Sequence, residues 1–339
     1  MNSLTRIVIV FLILTVAAVW VVVSTFKTDF LTLIHDFSLR TPDSVLFIGD
    51  VMLARSVEKN IKEHGTESQF NEVDEFHAAS RYVFANFEAA VPETHLPTPD
   101  LTFQFSVNKE YLPILSGAHI THVSLANNHA YDHGVDGYNH SFAALGASGV
   151  IPFGNPRAVT ASSTVEFVLN DVRVGVLGLH SVWTGPSRDD VRAALSALSS
   201  TTDIQIAYVH WGTEYTHTHS SSQEEYARFL IDNGVDAIIG HHPHVIQDVA
   251  LIEGVPVFYS LGNYVFDQFW SDDVTTGLTV RVTPEKNRVT YELIPIRIDR
   301  TVPRLANEEE TRSIRAEIAG YSEVPLQSSL IEGVIRLER

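Results

Sequence analysis

Ser44-Val-Leu-Phe-Ile-Gly-Asp-Val-Met52 decides the fold class. Val45 to Ile48 are apolar without alternation, the pattern of a strand buried on both faces. Gly49 breaks the run, and Asp50 follows as a carboxylate at the carboxyl end of a buried strand. Open sheets built from βα units carry their ligand sites at that end. Four further segments repeat the layout: Val83-Phe-Ala-Asn-Phe-Glu88, Ser124-Leu-Ala-Asn-Asn-His129, Ile206-Ala-Tyr-Val-His-Trp-Gly212 and Ile238-Ile-Gly-His-His-Pro-His244. Each is an apolar strand ending in residues able to bind a metal.

Between these strands the spacing predicts helices over 54–62, 108–116, 135–147, 191–198 and 222–232. Strands are also expected over 82–87, 121–126, 257–260, 278–282 and 289–298. Val165–Leu169 and Arg173–Leu179 flank Asn170-Asp171, a hairpin signal. Mixed βα units and hairpins point to an α/β domain of two packed sheets flanked by helices, spanning 43–300. From Thr301 onward charge rises and periodicity fades, with Glu308-Glu309-Glu310 in sequence, so 301–339 reads as a solvated C-terminal extension.

The 339 residues are 45% hydrophobic and 19% charged, a globular composition. The net charge of -18 repels nucleic acid, which needs a basic field. No cysteine is present, so any metal depends on the 16 histidines and the carboxylates. That donor chemistry suits zinc, manganese or iron.

Ile7 to Val23 is almost unbroken apolar sequence, preceded by Arg6 and followed by Lys27. Its length matches the roughly 17–25 residues that span a hydrocarbon core. A cleaved signal peptide has a shorter apolar region and a small-residue cleavage site. A buried core helix would have a polar face. The reading adopted is an uncleaved signal anchor over 1–27, a linker over 28–42, and a single-pass protein with its body outside the membrane.

A dinuclear hydrolytic centre needs a bridging carboxylate, several imidazoles and a neutral oxygen ligand. Asp50, Glu88, Asn128, His210, His242 and His244 could supply that set, binding one or two divalent ions. His129 is a candidate catalytic acid, with Asp132 close enough in sequence to orient it. Glu214 could bind substrate or support His210. His122 and His180 read as structural hydrogen-bonders, and His217 and His219 lie in a polar loop.

Seven motifs fall in one order: Gly49-Asp-Val-Met52, Asn86-Phe-Glu88, Leu125-Ala-Asn-Asn-His129, Asp132-His-Gly134, His210-Trp-Gly-Thr-Glu-Tyr215, Gly240-His-His-Pro-His-Val245 with Gln247, and Tyr259-Ser-Leu-Gly-Asn-Tyr-Val-Phe-Asp267. Together they resemble the CapA family of poly-gamma-glutamate capsule synthesis proteins. The resemblance implies a four-layer α/β/β/α sandwich similar to calcineurin-like metallophosphatases. It implies Asp50 as the first ligand, Glu88 as the bridge, Asn128 and His129 as the Asn-His pair, His210 as the lone histidine, and His242 with His244 as the final His-x-His. It also brings in Asn263 as a substrate-binding residue, although Ser260-Leu-Gly-Asn263 alone reads as a turn. Met52 departs from the superfamily's Asp-x-His, and a thioether is a poor ligand for a hard ion.

The function implied is making, exporting or anchoring an anionic polymer at the envelope. A metal-dependent hydrolase would cut or transfer a γ-glutamyl or phosphate ester bond. Alternatives are a non-catalytic accessory docked with membrane subunits of a polymer synthase, and a phosphoesterase with another substrate.

Overall fold

A computed structural model of the chain describes residues 43–99 and 102–339. The apolar segment 7–23 and the linker lie outside the described residues. Among the described residues no helix is long and apolar enough to cross a membrane.

The described residues begin with β1 (Val45–Val51), α1 (Arg55–His64) and β2 (Tyr82–Phe87), then β3 (His122–Ser124), α2 (Gly134–Ala147) and β4 (Ile151–Phe153). The hairpin β5 (Thr164–Leu169) and β6 (Val172–Ser181) leads to α3 (Arg188–Ser199), β7 (Ile204–Trp211), α4 (Ser221–Asp232) and β8 (Ala237–His241). Short strands β9 (Val249–Ile252), β10 (Val255–Phe258) and β11 (Asn263–Val265) precede the long pair β12 (Thr276–Glu285) and β13 (Arg288–Asp299). The chain ends with β14 (Val302–Leu305), α5 (Glu308–Tyr321) and β15 (Val334–Glu338).

Two sheets result. One runs β14-β13-β12-β1-β2-β3-β4, with β11 also paired to β1 and β15 to β13. The other runs β5-β6-β7-β8-β10-β9. Strands β1 to β4 are mutually parallel, as are β6, β7 and β8. All seven residues of β1 are buried, as continuous apolar character requires of a central parallel strand. The expected hairpin turn forms at Asn170 and Asp171, with φ of 50° and 61°. Both sit in the left-handed region that Asn and Asp tolerate best after glycine.

Among the described residues, apolar side chains gather in three places. Val45, Phe47 and Phe84 meet Ile206, Tyr208 and Ile239 in a cluster formed by both sheets. Leu46, Ile48 and Val83 on the opposite face of the first sheet cluster with Val57, Ile61 and Leu145 of α1 and α2. Leu177, Val209 and Ile238 of the second sheet cluster with Val191, Leu195 and Leu230 of α3 and α4. The strands thus present opposite faces to opposite partners, as their period of two dictates.

Two expectations change. Residues 108–116 form a 3-10 turn over Lys109–Tyr111 and a short helix over Pro113–Gly117, with Pro113 at its N-terminus. Proline has no N–H to donate to the preceding turn, so Pro113 takes the first position of the short helix, where that N–H would have no partner within the helix. Residues 301–339 are not a solvated extension. β15 pairs with β13, and Ile314, Ile318, Leu330 and Ile335 enter the cluster between the sheets. The three glutamates open α5, where Asn307 and Glu310 form a capping box. Acidic side chains favour a helix N-terminus, so the charge run marks a helix start.

Candidate metal centre

The carboxyl ends of β1, β2, β3, β7 and β8 meet at one rim. Asp50 is opposite Asn86 in register, and His210 is opposite both His180 and His241. Close backbone approach makes this possible at Gly49 and Gly240. A Cβ at Gly49 would lie 2.2 Å from the Gly262 carbonyl oxygen, and one at Gly240 would lie 2.0 Å from that of Tyr259.

Asp50 and Glu88 are completely buried. Asn86 Nδ2 donates to Asp50 Oδ1 at 2.8 Å and reaches Glu88 Oε2 at 3.4 Å. It also donates to His210 Nδ1 at 3.1 Å. His210 Nδ1 is therefore an acceptor, and Nε2 carries the proton toward Asn128 Oδ1, 2.6 Å away. Asn127 supports the network from behind, donating to Asn86 Oδ1 and accepting from the His129 backbone N–H. His244 stands between the carboxylates, with Nδ1 3.4 Å from Asp50 Oδ2 and Nε2 3.6 Å from Glu88 Oε1.

Charge follows burial and partners. Burial lifts the Glu88 carboxyl well above the usual carboxylate range. Burial alone would lift Asp50 too, but hydrogen bonds from His241 and His244 outweigh it and hold it well below that range. His210 is pushed well below its ordinary value by burial, and His242 is pushed down to about 3 by burial and by His244. Burial opposes charge on His244, yet Glu88 and Asp50 carry it up to about 9.

Three donor atoms here are buried without a hydrogen-bond partner: Glu88 Oε1, His241 Nε2 and His242 Nδ1. Leaving such an atom unsatisfied costs about 1–3 kcal/mol. Glu88, His242 and His244 form one set able to hold an ion, and Asp50, Glu88 and His210 another, with the donor atoms of each set within 4.8 Å of one another. Glu88 is common to both. The backbone is strained around them: Tyr215, His242 and His244 have φ of 62°, 98° and 58°. Non-glycine residues in that region concentrate at functional sites.

The family model of the bacterial capsule synthesis protein PGA_cap matches residues 44–268, which include every one of these donors. The chain belongs to the PGA_cap family. It is 30% identical over 276 residues to the PGA biosynthesis protein CapA of Bacillus subtilis, covering 77% of this chain and 73% of that protein. It is 26% identical to the capsule biosynthesis protein CapA of Bacillus anthracis, over 77% of this chain and 69% of that one. A hypothetical protein from Thermus thermophilus shares 16% identity at a TM-score of 0.46, over 78% of this chain and 98% of that chain. That structural likeness is too slight to argue from.

The remaining residues of this PGA_cap chain take clear places. His129 Nδ1 lies 2.9 Å from Asp132 Oδ2, and its Nε2 is 3.8 Å from Glu88 Oε1. Phe105 covers the His129 ring at 4.2 Å and donates its backbone N–H to Asp132 at 2.6 Å. Glu214 is exposed beside Tyr215. Asn263 is fully buried. Its Oδ1 is 3.0 Å from His244 Nδ1, and its Nδ2 donates to Gln268 and Val274, so it holds His244. Met52 points away into the cluster with α1, where its sulfur accepts the Ala54 N–H at 3.0 Å. His122 stacks on Phe84, His217 on Tyr321 and His219 on Tyr259. His180 is held at Nδ1 by the Pro156 carbonyl, although its ring is 5.9 Å from that of His210.

Sequence reading missed Asn86, Asn127, His241 and Phe105. Asn86 carried a signal: it stands two residues before Glu88, on the same face of a strand. His241 lay within the quoted Gly240-His-His-Pro-His run, but no spacing rule tells that it, as well as His244, turns toward Asp50. Phe105 reaches His129 only through the loop after β2.

Proposed function

We propose that this chain serves poly-gamma-glutamate capsule synthesis at the envelope through a divalent-metal centre of hydrolase type. Asp50, Glu88, Asn128, His210, His242 and His244 would hold one or two ions of zinc, manganese or iron. The observation that carries the metal reading is Glu88 Oε1, buried without a partner in the carboxylate common to both donor sets. The other orphaned nitrogens fit the same group, since imidazole and carboxylate suit these ions.

When bound, such an ion polarises a carbonyl or phosphoryl oxygen. The protein's own residues do the rest. Asp132 orients His129, whose Nε2 is then free to give a proton to a leaving group. Phe105 shields one face of that ring from water. Asn86 and Asn263 keep Asp50, Glu88 and His244 in place. The bond acted on is a γ-glutamyl or phosphate ester bond of an anionic polymer. The names of the two Bacillus relatives support the polymer assignment.

The finer fold reading is the four-layer α/β/β/α metallophosphatase type, supported by the three apolar clusters. Residues 1–27 are read as a signal anchor that leaves the body extracytoplasmic, beside membrane subunits of a polymer synthase. The apolar run Ile7 to Val23 supports this.

Elemental analysis of the purified protein beside a His242→Ala/His244→Ala double variant tests the centre. One or two equivalents, lost in the variant, are expected. A folded preparation that takes up no added metal would reject the hydrolase reading. Met52 favours a second reading, a non-catalytic accessory, because its burial removes a ligand from the Asp-x-His position. Undiminished polymer production by cells carrying His129→Ala would support that second reading.

A further inference from the structure

Beside the metal centre stands an aromatic corner that its donors do not use. Tyr215 and Trp270 meet edge to face, with ring centroids 5.5 Å apart and planes at 79°. Tyr215 is 43% exposed and Trp270 is 63% exposed. The corner is built rather than incidental. Tyr215 holds a φ of 62°, stabilised by donation of its N–H to the Pro243 carbonyl at 2.9 Å. Its hydroxyl accepts from Gln268 at 3.1 Å. The Tyr215 ring lies 6.2 Å from that of His244, so the corner borders the centre itself.

The surrounding charge says what the corner selects. Glu214 adjoins Tyr215 and Asp272 follows Trp270 by two residues, both exposed, while Asp273 lies 3.6 Å from His217 Nε2, and the whole chain carries -18. Aromatic faces with nearby carboxylates attract organic cations through the ring quadrupole, and they repel anions. The corner therefore favours a cationic group of the bound molecule over its carboxylates.

We propose that the Tyr215–Trp270 corner, with Glu214, is a subsite for an organic ammonium group on the molecule acted on at the metal centre. This rests on the metal-centre reading above. The ammonium has two sources: the amine end of a γ-glutamyl chain, or a side-chain amine on an acceptor.

Calorimetric titration of the full-length protein tests it with Nα-acetyl-lysine, γ-glutamylglutamate and N-acetyl-γ-glutamylglutamate. At least one free amine is expected to bind and the acetylated control is not, and whichever amine binds identifies the source. Trp270→Ala and Glu214→Gln, both on exposed side chains, are each expected to weaken binding about tenfold. Absence of binding by either amine, equal binding of the acetylated control, or an unaltered Trp270→Ala variant would overturn the proposal. Metal content measured on the same samples, before and after chelation, separates the two readings. Ammonium binding without metal fails only the metal centre, and metal without ammonium binding fails only the subsite.

Discussion

Asn128 Oδ1 lies 2.6 Å from His210 Nε2, although the two residues are 82 positions apart and belong to the rims of different sheets. The contact joins those rims at the point where both residues were expected to hold a metal. Asn128→Ala removes both its own oxygen and the group that orients His210, and is expected to weaken metal affinity at least about 10- to 100-fold. Competition against a chelator of known affinity reads this directly. Unchanged affinity would remove Asn128 from the site.

Glu88 opposes folding in the metal-free protein. Its folded value is raised, so the unfolded chain releases that proton more readily, and stability falls as pH rises above the ordinary carboxylate range. Glu88→Gln is expected to stabilise the chelated protein by about 1–2 kcal/mol at pH 7 while abolishing metal uptake. Urea denaturation with parallel metal analysis checks both signs. Loss of stability in the variant would mean that Glu88 is a structural ion-pair partner.

His129 and Asp132 should act as a unit. His129→Ala is expected to lower turnover of a γ-glutamyl anilide or aryl phosphate probe by about 10²–10⁴-fold. Asp132→Asn should fall in the same direction, with metal content retained in both. Activity unaffected by either change would exclude His129 as the acid.

Acid should destabilise the fold through His77. This imidazole is fully buried between the Ala118 carbonyl at 2.8 Å and the Tyr264 hydroxyl at 2.7 Å, and burial lowers it to about 4. A depressed folded value means that the unfolded chain takes up the proton first. Stability is therefore present above about 6.5 and drains away as pH falls toward 4. His77 alone accounts for about 2 kcal/mol lost between pH 7 and pH 5. His77→Gln should be weaker at pH 7 but lose less stability over that interval. Parallel urea curves for the two proteins would refute the assignment.

The C-terminal segment should be indispensable. Ile318 is 1% exposed within the cluster between the sheets. Ile318→Ala is expected to cost about 2–5 kcal/mol, and truncation after Ala306 should prevent folding. A truncated protein that still melts cooperatively at the original temperature would contradict the packing.

Much of the candidate site's side-chain set was legible in the sequence. An unalternated apolar run ending in Asp50 can be read as a buried strand because burial on both faces leaves no room for polar residues. The same logic found Glu88, His210 and the His242–His244 pair, since a strand end is a local property. The hairpin at Asn170-Asp171 was legible for a similar reason: positive φ restricts residue choice.

Tertiary structure alone decided the rest. That His241 faces Asp50, that Asn263 braces His244 from inside, and that Met52 turns into the helix-side core all depend on strand register and on which face meets which partner. The segment after Thr301 looked solvated because its buried residues are sparse. Only β13 and the cluster between the sheets give Ile314, Ile318 and Ile335 something to pack against. Apolar periodicity reports what a segment can bury. It does not name the surface that receives it, because that surface is assembled from residues far away in the chain.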